Sequence, residues 1–277
     1  MFDTTIDQLA TLGAERAQQA RTQPLSFLVG SAMAGAYVGF GAILMFTLGA
    51  HVGPEMAHFM MGAVFALGLT LVIFAGSHLF TGYTLYMALA WMSGRANGGD
   101  VLGALACCWF GNLLGAALLG GIFTLSGGGV LLTDGLPLFH TIAAAKANTD
   151  AVPLVFRAIL CNWLVCLTVW MCARTTSDAA KLGLIFWPIM AFAACGFEHS
   201  VANMFTFSLA LFGHIEGVTL QGALDNLAWV TLGNTIGGVL MVGVGYWVQS
   251  REALAPRSTR QPGPQSAPSS EHQLHKP

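Results

Sequence analysis

The chain has 277 residues, 55% of them hydrophobic and only 9% charged. An ordinary soluble domain carries about 25% charged residues, so most of this surface must face something other than water. The formal charge of −2 leaves no basic excess to neutralise phosphates, which excludes a nucleic-acid-binding class.

The first 24 residues are polar and lack the apolar run of a secretory signal. Ile6, Leu9 and Leu12 are spaced for one face of a short amphipathic helix from Thr5 to Arg21. Thr5 and Gln8 have the spacing of a cap at its start. Such a helix lies along a membrane surface or packs beneath a pore.

Six uncharged or nearly uncharged stretches follow, at residues 26–50, 59–94, 101–126, 158–173, 182–213 and 226–248. Soluble helices do not run this long without charge, so the pattern predicts an all-α membrane protein with six transmembrane helices. The second and fifth stretches would each reach about 50 Å as helix, against a hydrocarbon core of about 30 Å. Each is either one long tilted helix or a broken one. A break is favoured by a helix-weakening patch near each middle. One patch is Gly76-Ser77-His78-Leu79-Phe80-Thr81-Gly82; the other is Gly196-Phe197-Glu198-His199-Ser200-Val201-Ala202-Asn203. Ionisable groups such as Glu198 and His199 at mid-depth need a reason, and a protected cavity supplies one.

The patches echo each other: Gly76 and Gly196 are 120 positions apart, and Asn112 and Asn234, each between glycines, are 122 apart. A duplicated three-helix unit would be inserted upside down relative to its twin, as an inverted repeat. The glycine spacing around both asparagines reads as helix packing. Arg16, Arg21, Arg95, Arg174, Lys181, Arg251, Arg257, Arg260 and Lys276 fall on one side of such a topology and only Lys146 and Arg157 on the other. That bias predicts both termini in the cytoplasm. The expected organisation is an amphipathic N-terminal segment at 1–25, a channel domain at 26–250 and a disordered tail at 251–277, rich in Pro, Ser, Gln and His. His272 and His275 in that tail read as solvated.

No metal site is expected. The six cysteines, Cys107, Cys108, Cys161, Cys166, Cys172 and Cys195, form no Cys-x-x-Cys pair and read as small core residues. Gly127-Gly128-Gly129 has no phosphate-loop context and reads as a flexible turn. No nucleophile elbow or zinc-protease motif is present, so an enzyme is not expected, nor a cofactor. Thr81, Asn162, Lys146 and the Glu198-His199 pair are the inner polar features that could carry chemistry. Each has a bland alternative: a neutral ring in a helix contact for His199, an N-cap for Thr81, a helix-joining amide for Asn162. Broken helices aim positive amino ends at the centre, a favourable place for an anion.

Gly196-Phe197-Glu198-His199-Ser200-Val201-Ala202-Asn203-Met204 resembles the signature of the formate/nitrite transporter family. Leu79-Phe80-Thr81-Gly82, Gly111-Asn112 and Cys161-Asn162-Trp163-Leu164-Val165-Cys166-Leu167 match other landmarks of that family. Ser31-Ala32-Met33-Ala34-Gly35-Ala36-Tyr37-Val38-Gly39 and Trp229-Val230-Thr231-Leu232-Gly233-Asn234-Thr235 look most like its nitrite branch. The likeness covers about residues 5 to 250. It implies an aquaporin-like six-helix protomer in a homopentamer of the bacterial inner membrane. Small monovalent anions would pass through each protomer, nitrite first, with formate and hydrosulfide as alternatives and protons as a second partner. By motif position the central histidine is His199, its partner threonine is Thr81, the coupled polar pair is Glu198 and Asn162, and the outer lysine is Lys146. The apolar constrictions implied are Phe65, Leu69, Val165 and Phe192.

The mechanism this suggests has Lys146 concentrating anions and His199 donating a proton or a strong hydrogen bond. Thr81 holds the ring and touches substrate, and Glu198 and Asn162 bias the ring. One position departs: the family usually has an acid just before Leu-Phe-Thr, and this chain has His78. Rival readings are a neutral-solute channel and a membrane anchor subunit of a redox enzyme.

Overall fold

The computed structural model describes residues 2–133 and 137–254, and these are helical almost throughout. In chain order the helices are α1 (Asp3–Thr22), α2 (Pro24–Ala50), α3 (Pro54–Ala75), α4 (Phe80–Met92), α5 (Gly98–Leu125) and α6 (Leu138–Ala147). They continue as α7 (Ala151–Cys172), α8 (Asp178–Ala194), α9 (Ser200–Phe212), α10 (Leu220–Ile236) and α11 (Gly245–Leu254). A 3₁₀ turn at Gly129–Leu132 and a π-helical stretch at Gly237–Val244 complete the order. The part of the expected tail from residue 255 onward lies outside the described residues.

Among the described residues five helices are long and apolar enough to cross a membrane: Pro24–Ala50, Pro54–Ala75, Gly98–Leu125, Ala151–Cys172 and the continuous run Leu220–Ser250. Their large apolar side chains face outward as often as inward. On α5, Leu102, Phe110, Leu114, Leu118 and Ile122 are all exposed, whereas Asn112 is fully buried. An apolar outside around buried polar groups is what lipid selects and water does not. The chain is a multi-pass helical membrane protein.

Both long apolar stretches break where the glycines predict. Gly76 at φ +76° ends α3 and Gly196 at φ +69° follows α8, both in the left-handed region that a Cβ disfavours. After four residues of non-helical chain, α4 starts at Phe80; after a similar gap, α9 starts at Ser200. The helices then pack in a repeating scheme. α2 lies on α3 and α5 as α7 lies on α8 and α10, and α3 contacts α8 directly.

The amphipathic first helix begins earlier than expected. α1 starts at Asp3, so Thr5 does not cap it; Thr5 is buried and its hydroxyl accepts a bond from Arg174 Nη1 at 3.4 Å. Ile6, Leu9, Ala10 and Ala17 are buried, and α1 rests mainly on α4 and α5. Of the cysteines, four are buried, Cys107 is half-buried and Cys195, in the second break, is exposed.

α2 and α5 touch backbone to backbone. A Cβ built on Gly115 would sit 1.7 Å from the carbonyl oxygen of Ala32. Gly115→Leu should therefore force the two helices apart and cost about 3 kcal/mol, the upper end for overpacking. The measurement is thermal unfolding in detergent. Gly103→Leu, where a Cβ meets nothing within 4 Å, is the control and should be near neutral. Equal melting of the two variants would refute the close-packing account.

Candidate functional site

The breaks leave backbone donors and acceptors inside an apolar body, and the sequence supplies one buried asparagine for each. Asn112 accepts from Phe80 N at 2.9 Å through Oδ1 and donates through Nδ2 to His78 O at 2.8 Å and Ser31 O at 2.7 Å. Asn234 does the same in the other half. Its Oδ1 accepts from Ser200 N at 2.8 Å, and its Nδ2 donates to Glu198 O and Ala158 O, both at 2.9 Å. Each amide replaces bonds that a continuous helix would have made with itself. Reading the glycines around both asparagines as packing motifs misses these roles. The available signal was a polar amide centred in each of two apolar helices, 122 positions apart.

Three cavities line up through the fold. One of about 260 Å³, called outer because the Lys and Arg bias of the sequence puts Lys146 on that side, is lined by residues including Lys146, Arg157, Phe197, Glu198 and Asn203. A void of about 10 Å³, room for about one water, comes next. It shares Phe65, Phe192 and His199 with the outer cavity and Leu69 and Leu79 with an inner cavity of about 200 Å³. All four expected constriction residues, Phe65, Leu69, Val165 and Phe192, line the void. So do Val38, Leu79 and Ile189, which were not anticipated. Leu79 could have been found: it stands 120 positions before His199. The ring of Phe65 meets that of Phe192 edge-on at 5.8 Å, and Phe192 stacks on His199 at 5.8 Å.

His199 stands where α9 begins and caps it. Its Nδ1 accepts from the backbone N–H of Ala202 at 3.1 Å. A ring nitrogen that accepts carries no proton, so the neutral ring holds its proton on Nε2. Nε2 then donates to Thr81 Oγ1 at 3.1 Å. Thr81 is fully buried and lines none of the three cavities, so it holds the ring from behind rather than meeting the path.

Asn162 is likewise buried away from the cavities. Its Nδ2 donates to Asn234 O at 2.6 Å, Thr84 Oγ1 at 3.0 Å and Thr81 O at 3.2 Å. Among the described residues its Oδ1 is buried without a partner, as is Ser200 Oγ. Among the described residues no hydrogen bond joins Asn162 to Glu198; the link runs through Asn234, whose carbonyl takes Asn162 and whose amide takes the Glu198 carbonyl.

Glu198 has other partners. Its Oε2 accepts from Lys146 Nζ at 2.7 Å and from Asn203 Nδ2 at 2.6 Å. Asn203 also donates to Asn226 Oδ1 at 2.8 Å, and Asn226 returns a bond to Lys146 O at 2.9 Å. The loop of four residues is closed. Lys146 is thus not a free vestibule charge. It sits on the last turn of α6, its side chain 19% exposed, paired with a carboxylate that is 4% exposed. The pairing spans 52 positions and no local spacing announced it.

The formate/nitrite transporter family model matches residues 4–248. The chain belongs to this family. It is a family of transporters and channels, not of enzymes, which disposes of the redox-anchor reading. The chain is 45% identical over 257 residues to the nitrite transporter NirC of Escherichia coli, covering 92% of this chain and 95% of that one. It is 33% identical to the formate channel FocA of the same species, over 89% of this chain and 95% of that one. Among solved structures, an FNT family ion channel superimposes with a TM-score of 0.87 at 46% identity, covering 90% of this chain and 99% of that one. A pentameric formate channel with formate bound superimposes at 0.72 with 26% identity, covering 84% of this chain and 99% of that one. At the middle of its cavity path this member of the formate/nitrite transporter family has the edge of a capped ring whose N–H is held by Thr81.

Proposed function

We propose that the chain conducts small monovalent anions of weak acids, nitrite first, through each protomer of a homopentamer. The observation that carries this reading is the line of cavities. Two largely apolar vestibules, each carrying a few charged or polar side chains such as Lys146 and Arg16, meet at a constriction where, among the described residues, His199 is the polar wall. An anion leaving water there loses several kcal/mol of solvation and recovers part of it when Nε2–H, held at rest by Thr81 Oγ1, is shared with or turned to the anion. The amino ends of α4 and α9, both starting beside the breaks, add favourable dipoles.

The substrate preference rests on the 45% identity to the NirC nitrite transporters. The six-span inverted repeat is favoured by the matching helix contacts and by the two asparagine clamps, each of which holds a break in the same way. In this reading α8 and α9 together form the span that neither makes alone. Both termini lie in the cytoplasm of a bacterial inner-membrane protein, by the Lys and Arg bias.

The test is flux into proteoliposomes with nitrite, formate, hydrosulfide and glycerol across a pH series, alongside the mass of the detergent-solubilised particle. Nitrite flux above the others from a five-subunit particle is the expected result. Glycerol flux unaffected by anions, or formate flux above nitrite, would overturn the channel class or the substrate respectively.

A further inference from the structure

The inner vestibule repeats the outer one with one exchange. In the outer cavity Lys146, Glu198 and Asn203 form a cation, a carboxylate and an amide, the last two five residues apart across a break. The inner cavity holds Arg16, His78 and Tyr83, with His78 and Tyr83 also five residues apart across a break. Arg16 precedes Lys146 by 130 positions, His78 precedes Glu198 by 120 and Tyr83 precedes Asn203 by 120. The helices carrying the two cations, α1 and α6, each come just before the first long helix of a half.

The exchange removes the counter-ion. Among the described residues no carboxylate lines the inner cavity and Arg16 has no ion pair; its Nη1 donates to Gln19 Oε1 at 2.7 Å. His78 is seated firmly. Its ring stacks on Phe27 at 4.8 Å, and Nδ1 lies 2.7 Å from the Tyr83 hydroxyl. It fits because residue 30 is glycine: a Cβ there would stand 2.7 Å from the ring. Either direction of the His78–Tyr83 bond leaves one donor over. If Tyr83 donates, His78 carries its proton on Nε2; if Nδ1 donates, the Tyr83 hydroxyl is free to donate. A carboxylate at position 78 would instead accept the tyrosine hydroxyl's hydrogen bond and offset the charge of Arg16.

We propose that the inner vestibule binds a small monovalent oxyanion in the place of the missing carboxylate, held by Arg16 and the His78–Tyr83 pair. It deepens the anion-channel reading and rests on it. A guanidinium fork suits two oxygens on one centre, and Ser77, whose hydroxyl makes a long 3.4 Å bond to Val72 O, adds a donor at the wall. The permeating anion itself is such a ligand, so this is a second station on its path, separated from His199 by Leu69 and Leu79.

Two probes test it on the full chain. Crystals soaked in sodium bromide report the site by anomalous density, and calorimetric titration with sodium nitrite at low ionic strength reports affinity. The expected result is a bromide peak between Arg16 and His78 that disappears in Arg16→Gln and in His78→Glu. Nitrite should bind about tenfold more weakly in both, the loss of one charge-assisted contact. His78→Glu introduces an acid of the kind the family usually has there, so it guards against an α1 variant that fails to assemble. No wild-type peak, or a peak unchanged in His78→Glu, would overturn the proposal. A peak with these losses but no nitrite flux would support the site and sink the channel reading. Nitrite flux without a peak would do the reverse.

Discussion

Replacing His199 by Asn should leave an assembled protein that still conducts nitrite, whereas His199→Phe should lose conduction by roughly 10- to 100-fold. The reason is the double duty of the ring. Nδ1 caps α9 by accepting from Ala202 N, and Nε2–H, held at rest by Thr81 Oγ1, is the donor the ring can turn to an anion at the constriction. Asparagine is among the best N-caps, and its amide still donates. Phenylalanine keeps the stack with Phe192 but loses both cap and donor. The geometry therefore narrows the two roles that the sequence left open. To become a full proton donor the ring would have to take a second proton on Nδ1, where the Ala202 N–H already points. That state needs the cap broken. With the cap intact His199 gives a hydrogen bond. Flux through the Asn variant should accordingly lose whatever pH dependence the imidazole contributes while retaining its magnitude. An assembled Asn variant as silent as the Phe variant would restore the proton-donor role. His199→Ala adds a third reading: a general anion leak in Ala with a normal Asn variant would make the ring chiefly a plug.

What could be read from the sequence was what local chemistry forces. Gly76 and Gly196 had to stop their helices because long uncharged stretches exceed the bilayer and both patches contain polar groups that lipid would reject. Glu198 and His199 stood out because ionisable groups at depth are costly. The four constriction residues came only through the family resemblance, since an apolar side chain in an apolar helix carries no signal of its own. The hydrogen-bond loop through Lys146, Glu198, Asn203 and Asn226 was not legible. Its members come from three helices and a break, and closure depends on how α6, a helix not foreseen, folds back beside α9 and α10. The resemblance couples Asn162 to Glu198, but its amide is consumed by Asn234, Thr84 and Thr81, which hold α4 to α7 and α10. In each case the missing information was tertiary: which of several backbone oxygens a buried amide meets once the helices are packed.

Lys146→Ala should cost more than a lost capture charge, because the lysine neutralises a carboxylate that cannot reach bulk water. Glu198 is 4% exposed and its Oε2 takes both Lys146 Nζ at 2.7 Å and Asn203 Nδ2 at 2.6 Å. Removing one partner of a buried pair costs about 3 to 5 kcal/mol, since the other charge stays behind. The variant should melt well below the parent in detergent. Its flux should fall at every anion concentration, as an uncompensated carboxylate now lines the outer cavity beside His199. A pure capture role predicts a different pattern: unchanged melting and a loss confined to low concentration and low salt. The double variant Lys146→Ala, Glu198→Gln separates the two. With the carboxylate gone, the substituted amide can still take the Asn203 amide on its carbonyl, so melting and high-concentration flux should recover most of the way while low-concentration flux stays depressed. If the double variant melts no higher than Lys146→Ala alone, the stranded charge is not what the lysine was balancing. The structural role of residue 146 would then lie in the packing of its alkyl stem over α6.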